Sequence, residues 1–298
     1  MKTIFEADFT WTGDAFERGI RVVVEDGRIT EVDTDIEGRV TRLSRRALLP
    51  GFVNAHSHAF QRGLRGRGET FPNHDGSFWS WREAMYDLVG EMTRERLYEL
   101  SLLAFREMLE AGITTVGEFH YLHHPASEAG FAFDEVMLHA ARDAGIRIVL
   151  LHAYYATGAI GQPLQGGQRR FACTSPAEYW DQIDHLQSLV DGDMQRLGVV
   201  AHSIRAAALE DIAALHAEAE RRGLVFHMHI EEQVAEIEQA QQAYGRTPMG
   251  ALFDTIAVNP RFTGVHCTHT APDDMARFIA AGASVCICPL TEANLGDG

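Results

Sequence analysis

The sequence is poor in cysteine, and this scarcity limits the kinds of protein it can be. Its four cysteines are Cys173, Cys267, Cys286 and Cys288, and no two of them form a Cys-x-x-Cys pair. The spacing argues against a disulfide framework or a Cys-x-x-Cys redox or zinc motif and indicates reduced thiols in a cytosolic protein. Cys286 and Cys288 lie in a short apolar run, so we expect small buried hydrophobic residues there rather than ligands.

Long apolar segments are also missing. No stretch provides the ~20 consecutive apolar residues that a membrane-spanning helix needs. Residues 1–8 contain Glu6 and Asp8 where a secretory signal would have an apolar region. These absences predict a soluble, cytoplasmic protein.

Positive charge is scarce as well. Lys and Arg total 26 against 42 Asp and Glu, which gives a formal net charge of −16. This excess repels nucleic acid and anionic membranes at long range, so neither is an expected partner. An anionic substrate would have to be held by local arginines, because the overall field opposes its approach.

The pattern of the sequence changes near residue 48. Residues 1–48 are rich in β-forming segments, and Asp26-Gly27 between two such runs predicts a hairpin. Over residues 49–298, short apolar runs alternate with amphipathic segments, which favours a parallel sheet flanked by helices. The predicted strands are 48–55, 114–120, 146–153, 198–202, 224–229, 263–266 and 284–288, and the predicted helices include 94–110, 133–142, 176–190 and 209–221.

Histidines recur at the ends of these strands. Six of them lie at or just beyond the carboxyl end of a predicted strand: His56, His58, His120, His202, His229 and His266. Active sites of (β/α)8 barrels occupy this rim, and packing alone would not place histidines there repeatedly. A doubly wound nucleotide-binding sheet is the alternative, but no Gly-x-Gly-x-x-Gly follows the first strand. We therefore predict an α/β chain, with a small β domain (1–48) before a TIM-like barrel (49–298) whose eighth strand is missing.

His56 and His58 follow an apolar run and are separated by one residue. Side chains repeat on one face of a strand every second residue, so both imidazoles project to the same side. Two neutral nitrogens at the end of a buried strand can supply the first two ligands of a divalent metal ion. A pair of capped or solvated histidines is the alternative, because His-x-His is a short and common pattern.

The fifth and sixth strands add further candidates. His229 ends the fifth strand and could complete a three-histidine cluster, whereas His227, one step deeper, is better explained as a core histidine. Glu232 lies three residues beyond His229, within reach of a metal-bound water. A solvated acid at a helix start is the alternative for Glu232, and that description fits Glu231 better. His266 ends the sixth strand near the barrel mouth.

Longer motifs make a family resemblance specific. The Pro-Gly-Phe-Val-Asn-Ala-His-Ser-His segment that ends at His58 and the His-Ile-Glu-Glu strand end resemble the amidohydrolase superfamily, in its deaminase branch. Within that branch the chain is similar to the formimidoylglutamate deiminases, and the similarity runs along the whole chain. The discriminating segments are 58–62, 78–83, 117–124, 202–206 and 291–298.

The resemblance implies a fold, a reaction and a set of roles. The fold is the barrel of metal-dependent hydrolases, and the reaction is hydrolysis of N-formimino-L-glutamate, a small anionic amino-acid derivative, to N-formyl-L-glutamate and ammonia in histidine degradation. One divalent ion, Zn²⁺ for preference and iron as the alternative, is held by His56, His58, His229 and an aspartate after the eighth strand. Glu232 and His266 act on protons and on the reacting group. The implied substrate-holding residues are Gln61, Arg82, Tyr121, His202 and Arg205.

Several of these expectations have alternatives. Arg82 could form an ion pair with Glu83 or stack on an indole, and Arg205 could form a surface salt bridge. Asp297 belongs to a different family motif from the eighth-strand aspartate, which the sequence does not reach, so the chain could also be an inactive fragment or a scaffold. A deaminase for guanine, cytosine or a related ring is the other candidate. Related enzymes are often dimers, which makes a homodimer one expected assembly.

The connection after the first barrel strand is long. Residues 58–93 are rich in Gly, Arg and aromatic residues, and a second Gly-rich segment covers 158–167. Long loops in compact domains are often functional, so we expect these segments to act as lids over the site.

Overall fold

The computed structural model describes residues 1–67, 78–126 and 130–296. The central part of the predicted lid (68–77), the side chains of residues 78–80 in one family motif, and Asp297 lie outside what is described. The chain divides into two compact units, Met1–Phe52 and Val53–Gly298.

The first unit is a small sheet. Its strands are β1 (Lys2–Trp11), β2 (Phe16–Glu17), β3 (Arg21–Glu25), β4 (Arg28–Asp33) and β5 (Val40–Leu48). They are ordered β2-β1-β3-β4, and β5 pairs in parallel with β1. The predicted hairpin is confirmed, because β3 and β4 pair antiparallel around Asp26 and Gly27. Their φ angles of 49° and 78° are the left-handed pair that a tight hairpin turn requires.

The second unit contains the predicted parallel strands. They are β6 (Phe52–Ser57), β7 (Ile113–His120), β8 (Arg147–Tyr154), β9 (Gln195–Ala201), β10 (Phe226–Ile230), β11 (Phe262–His266) and β12 (Ser284–Cys286). The seven strands neighbour one another in chain order, and each pairs in parallel with the next from β7 to β12. This order is the one that successive βα units produce.

The seven-stranded sheet is rolled into a barrel. β6 and β10 are four strands apart in the sheet, which in a flat sheet corresponds to about 19 Å at 4.8 Å per step. The Nε2 atoms of His56 at the end of β6 and His229 in β10 are nevertheless only 3.3 Å apart. The predicted barrel architecture is thus confirmed, with seven strands among the described residues.

Helices surround the sheet and are capped by local sequence. They are α1 (Phe78–Glu91), α2 (Arg94–Glu110), α3 (Asp134–Ala144), α4 (Pro176–Gln187), α5 (Leu209–Arg222), α6 (Val234–Tyr244), α7 (Pro248–Thr255), α8 (Pro272–Ala280) and α9 (Pro289–Leu295). The hydroxyl of Ser175 accepts from the backbone N–H of Glu178 at the start of α4, and Gly145 ends α3 in the left-handed region. No helix among the described residues has the length and hydropathy to cross a bilayer.

Candidate active site

A single cavity of about 450 Å³ collects every site residue predicted from the sequence. It lies at the carboxyl ends of the barrel strands, where His56, His229 and His266 are located. The predicted residues that line it are His56, His58, His229, Glu232, His266, Gln61, Arg82, Tyr121, His202 and Arg205. Their proximity is a structural fact, whereas their individual roles stay predictions.

Three imidazoles converge in the cavity. Nε2 of His56 lies 3.1 Å from Nε2 of His58 and 3.3 Å from Nε2 of His229. The alternation of side chains along β6 brings the first two together, and the rolling of the sheet brings β10 opposite them. His227, by contrast, is buried outside the cavity lining.

Hydrogen bonds to backbone carbonyls define the protonation of this cluster. Nδ1 of His58 lies 2.8 Å from the carbonyl oxygen of Phe119, and Nδ1 of His229 lies 3.1 Å from that of His202. Because a carbonyl oxygen only accepts, both Nδ1 atoms donate. Burial lowers the pKa of His58 to about 4 and the pKa of His229 well below its ordinary value. Both rings are therefore neutral near pH 7, and their Nε2 lone pairs point towards His56.

This arrangement fits a bound cation. The lone pairs on Nε2 of His58 and His229 both face Nε2 of His56 at 3.1–3.3 Å, where either a proton on His56 or a bound cation can lie between them. A Zn–N distance of 2.0–2.1 Å with tetrahedral angles would place ligand nitrogens about 3.4 Å apart. His58 and His229 satisfy the usual requirement that a ligand histidine donates its other ring N–H to a carbonyl, whereas Nδ1 of His56 has no hydrogen-bond partner among the described residues. His56, His58 and His229 can therefore hold one divalent metal ion.

Glu232 and His266 face each other beside the imidazole cluster. Oε1 of Glu232 is 3.5 Å from Nε2 of His266, whose Nδ1 lies 3.1 Å from Oε1 of Glu292 in α9. His266 has a φ of 70°, a left-handed conformation that is costly for a residue with a side chain. Such strain is typical of side chains that the surrounding structure aims into a site.

Glu231 does not behave as a solvated acid, so that part of the sequence interpretation is wrong. Its side chain is buried, and Oε1 accepts a hydrogen bond of 3.0 Å from the backbone N–H of Met249 in the first turn of α7. A carboxylate at a helix N-terminus is favoured by the helix dipole and by the unpaired N–H groups there. The partner helix begins 17 residues later in the chain, at Pro248, which is why local sequence did not reveal this contact.

The two predicted arginines line the same side of the cavity. Nε of Arg82 donates to the hydroxyl of Tyr86 at 3.0 Å, and its guanidinium also lies 5.4 Å from the centre of that ring. Arg205 reaches two carboxylates, with Nη2 at 3.5 Å from Glu232 and Nε at 3.6 Å from Glu236. Arg205 is therefore not in a surface salt bridge, since its side chain is only 17% exposed.

Aromatic residues complete the wall. Nε2 of Gln61 donates to the hydroxyl of Tyr121 at 2.8 Å, which orients both side chains. The ring of His202 packs between Tyr155 and His229 at centroid distances of 4.7 and 4.8 Å. Burial, the dominant cause, raises the pKa of Tyr155 to about 12, so the phenol stays a neutral hydrogen-bonding group.

The sequence interpretation missed several cavity residues. Tyr86 and Tyr155 line the cavity without belonging to a motif that suggested it. Cys286 and Cys288 were expected in the core, but both are half-buried and line the cavity. The Cys288 thiol also lies within 4.8 Å of a ring nitrogen of His56 and of His266. Strand alternation at Cys286 and Cys288 was the available signal.

His120 does not lie at the catalytic rim, contrary to its position in the predicted strand. Phe119 and Tyr121 face the His58 ring, so the intervening His120 points to the opposite face of β7. There Nε2 of His120 lies 2.9 Å from Oδ1 of Asp134 in α3. Further hydrogen-bond partners of the Asp134 carboxylate are His123, His152 and Gln182.

Comparison with known proteins agrees with this geometry. A formimidoylglutamate deiminase of Pseudomonas aeruginosa is 38% identical over the whole chain, which spans 66% of that protein's length. The structure of an amidohydrolase from Brucella melitensis superimposes with a TM-score of 0.92 at 34% identity, covering 99% of this chain and 67% of the other. An adenosine deaminase from Xanthomonas campestris with bound zinc shares the fold, with a TM-score of 0.81 at 22% identity, over 99% of this chain and 64% of its own.

The family is decided by the barrel as a whole. A model of the amidohydrolase family matches residues 47–298, a range that contains all seven parallel strands from β6 to β12. The chain therefore belongs to the amidohydrolase family.

Proposed function

We propose that this protein hydrolyses N-formimino-L-glutamate to N-formyl-L-glutamate and ammonia, using one divalent metal ion, Zn²⁺ for preference. The observation that carries the proposal is the presence, in one cavity, of a three-imidazole metal site together with Arg82 and Arg205. The 38% identity to a formimidoylglutamate deiminase supports the substrate, and the zinc-bound relative supports the metal.

The proposed substrate matches the charges of the cavity. It carries two carboxylates and an amidine group that is cationic near neutral pH. A guanidinium binds a carboxylate through paired charge-assisted hydrogen bonds, so Arg82 and Arg205 suit the two anionic ends. A neutral purine or pyrimidine ring offers no carboxylate to the Arg82 and Arg205 guanidinium groups that line the cavity, which makes a ring deaminase the weaker candidate.

The chain's own residues supply positioning and proton transfer. A bound divalent ion would lower the pKa of water to about 7 and so provide hydroxide at neutral pH. Glu232 would contact the amidine nitrogen and relay to it a proton that the attacking water gives up, as the C–N bond breaks, so that ammonia leaves neutral. His266, held by Glu292, would polarise or position the reacting carbon.

Hydrogen bonds and aromatic rings would fix the rest of the substrate. Tyr121 and Gln61 form a joined pair beside His58, and His202 is packed against the ligand His229. These contacts restrict the rotamers of the groups that face the substrate, which lowers the cost of ordering them on binding. A cytoplasmic location, a place in histidine degradation and a homodimeric state accompany this proposal as predictions.

Substrate profiling tests the proposal directly. The purified protein should release ammonia from N-formimino-L-glutamate and leave guanine, cytosine and adenosine unchanged, and metal analysis should find one equivalent of zinc or iron. Release of ammonia from a ring substrate alone would replace this proposal with a ring deaminase. Metal binding without turnover of any substrate would favour a scaffold.

A second measurement tests the role of Arg82. Arg82→Met should raise KM by about 10-fold to 100-fold, since a hydrogen bond to a charged group contributes about 1.5–3 kcal/mol. Arg196→Met is the matched control, because Arg196 is exposed and its Nε donates to the carbonyl of Gly192 outside the cavity. An unchanged KM in Arg82→Met would remove Arg82 from the substrate site.

A further inference from the structure

A smaller pocket of about 210 Å³ adjoins the catalytic cavity. Arg82, Tyr155, His202 and Arg205 line both spaces. The three candidate metal ligands do not line the smaller pocket, whereas Glu236 in the first turn of α6 does. The side pocket therefore borders Arg82 and Arg205 on a side where the candidate metal ligands do not lie.

Glu236 is an unusual residue for such a position. Its side chain is 0% exposed, and neither carboxylate oxygen accepts a hydrogen bond from a described residue. Its cationic neighbour is Arg205, with Nε at 3.6 Å from Oε2. A buried ion pair offsets its desolvation cost only with good geometry and additional hydrogen bonds, and this pair is long. The pair therefore adds little to the stability of the fold, and burial raises the pKa of Glu236 to about 7.

Two carboxylates hold the same edge of the Arg205 guanidinium. Nε, which faces Glu236, and Nη2, which faces Glu232, lie on one side of the planar group. The backbone of Arg205 is already fixed, because its carbonyl accepts from the hydroxyl of Thr157 at 3.0 Å. The two glutamates therefore contribute to the direction of the side chain.

The two glutamates differ in what else they face. Glu232 lines the catalytic cavity and also approaches His266 at 3.5 Å. Glu236 lines the side pocket and not the catalytic cavity. A carboxylate that enters the catalytic cavity can replace Glu232 at Arg205, but it would leave the Glu236 contact in place.

We propose that Glu236 is a positioning residue for substrate recognition, which holds Arg205 from the side pocket while a substrate carboxylate displaces Glu232 from the guanidinium. The proposal rests on the proposed function, because it gives Arg205 a substrate carboxylate to bind. The displacement also frees the Glu232 carboxylate to accept a proton given up by the attacking water and to pass it to the leaving nitrogen.

Kinetics of an isosteric variant give the first test. In Glu236→Gln, Arg205 loses one of its two carboxylate contacts and keeps the one to Glu232, with which the substrate has to compete, and KM for N-formimino-L-glutamate should rise about tenfold. The kcat should stay within about twofold, since the lost interaction is equal in ground and transition states. Glu236→Asp keeps the charge and should restore KM to within about threefold of the wild type. Gln239→Ala, an exposed residue of the same pocket, is the control and should change neither value.

A double-mutant cycle separates positioning from a general structural effect. If Glu236 acts through Arg205, then Glu236→Gln should have no further effect on KM in an Arg205→Met background. The same cycle is measured by calorimetry with glutarate, a dicarboxylate probe whose binding requires no turnover. Its Kd should rise about tenfold in Glu236→Gln and should not change further in the double variant.

The outcomes distinguish this proposal from the proposed function. Equal glutarate affinity in wild type and Glu236→Gln, an undiminished effect in the Arg205→Met background, or no glutarate binding by the wild type would each overturn the positioning role. If the wild type does not hydrolyse N-formimino-L-glutamate, the proposed function fails and the glutarate cycle still decides the role of Glu236. If Glu236→Gln does not fold, Glu236→Asp is carried through the same cycle, with a smaller expected loss.

Discussion

Two histidine clusters lie on opposite faces of the barrel strands, and they differ in one group. His56, His58 and His229 converge in the cavity with their nitrogens 3.1–3.3 Å apart. His120, His123 and His152 converge outside the barrel on the carboxylate of Asp134, at 2.7–2.9 Å. The second cluster contains its own anion, whereas the first consists of imidazoles alone, with the Nε2 lone pairs of His58 and His229 facing His56.

The difference shows how the same side chain serves binding in one place and packing in another. Nδ1 of His123 reaches Asp134 and its Nε2 reaches the carbonyl of Ala153, so both ring nitrogens face acceptors. Although burial opposes the charge, Asp134 raises the pKa of His123 to about 10, and His152 and His123 hold the pKa of Asp134 well below its usual range. The buried cluster thus contains an internal ion pair. The three cavity histidines include no such anion among them, so their ring nitrogens are suited to binding a metal ion.

Removal of a cavity imidazole should have the largest effect. His229→Ala should abolish metal binding and reduce turnover by at least about a thousand-fold, because water is almost un-ionised at neutral pH without a Lewis acid. Metal content and turnover are measured together. His227→Gln, on the same strand but outside the cavity lining, should retain its metal. Loss of metal from this variant would contradict the assignment of metal binding to the cavity-lining histidine alone.

Removal of the buried anion should chiefly affect stability. Asp134→Asn should lower the free energy of unfolding by about 3–5 kcal/mol, since it leaves buried donors and a buried imidazolium without their partner. Denaturant titration measures this, and metal content should stay at the wild-type level. Asp143→Asn, at an exposed aspartate that accepts from the Tyr98 hydroxyl, should change stability by no more than about 0.5 kcal/mol. A metal-depleted Asp134→Asn protein would mean that the two clusters are coupled.

Metal removal should affect only the cavity cluster. At a free metal concentration 100 times Kd, binding stabilises the folded state by about 2.7 kcal/mol, and a chelator should remove that increment. Thermal and chemical unfolding with and without chelator would measure it. The increment should survive in Asp134→Asn and vanish in His229→Ala. Its persistence in His229→Ala would indicate a metal held elsewhere.

The smallest expected effect is the pH dependence of the buried ion pair. Because the pKa of His123 is raised to about 10, its contribution is fully present below the unfolded value of about 6.5 and is lost as pH rises towards 10. The difference in unfolding free energy between wild type and His123→Gln should therefore shrink by about 1 kcal/mol between pH 7 and pH 8. A difference that is constant over this interval would mean that His123 is neutral in the folded protein.

The sequence was sufficient wherever the relevant contact is local or periodic. The Asp26-Gly27 hairpin follows from two adjacent residues that tolerate positive φ. His56 and His58 share a face because strand side chains alternate, and the order of the parallel strands follows from the βα repeat. The family motifs also identified ten residues that the structure collects in one cavity, although motif and sequence spacing do not measure their roles.

Tertiary packing decided the rest. The alternation of side chains along β7 places His120 on the opposite face of the strand from Phe119. The curvature of the barrel and the position of α3 make that outer face a buried one, with Asp134 on it. Likewise, Glu231 and Glu236 are close in sequence, yet one accepts a hydrogen bond from the first turn of α7 and the other lies beside Arg205, because each meets a different element. Local sequence thus determined the strands, the helices and the face on which each side chain lies. The partner of each buried charge depended on segments distant in the chain, because these segments meet only when the sheet is rolled and the helices are packed.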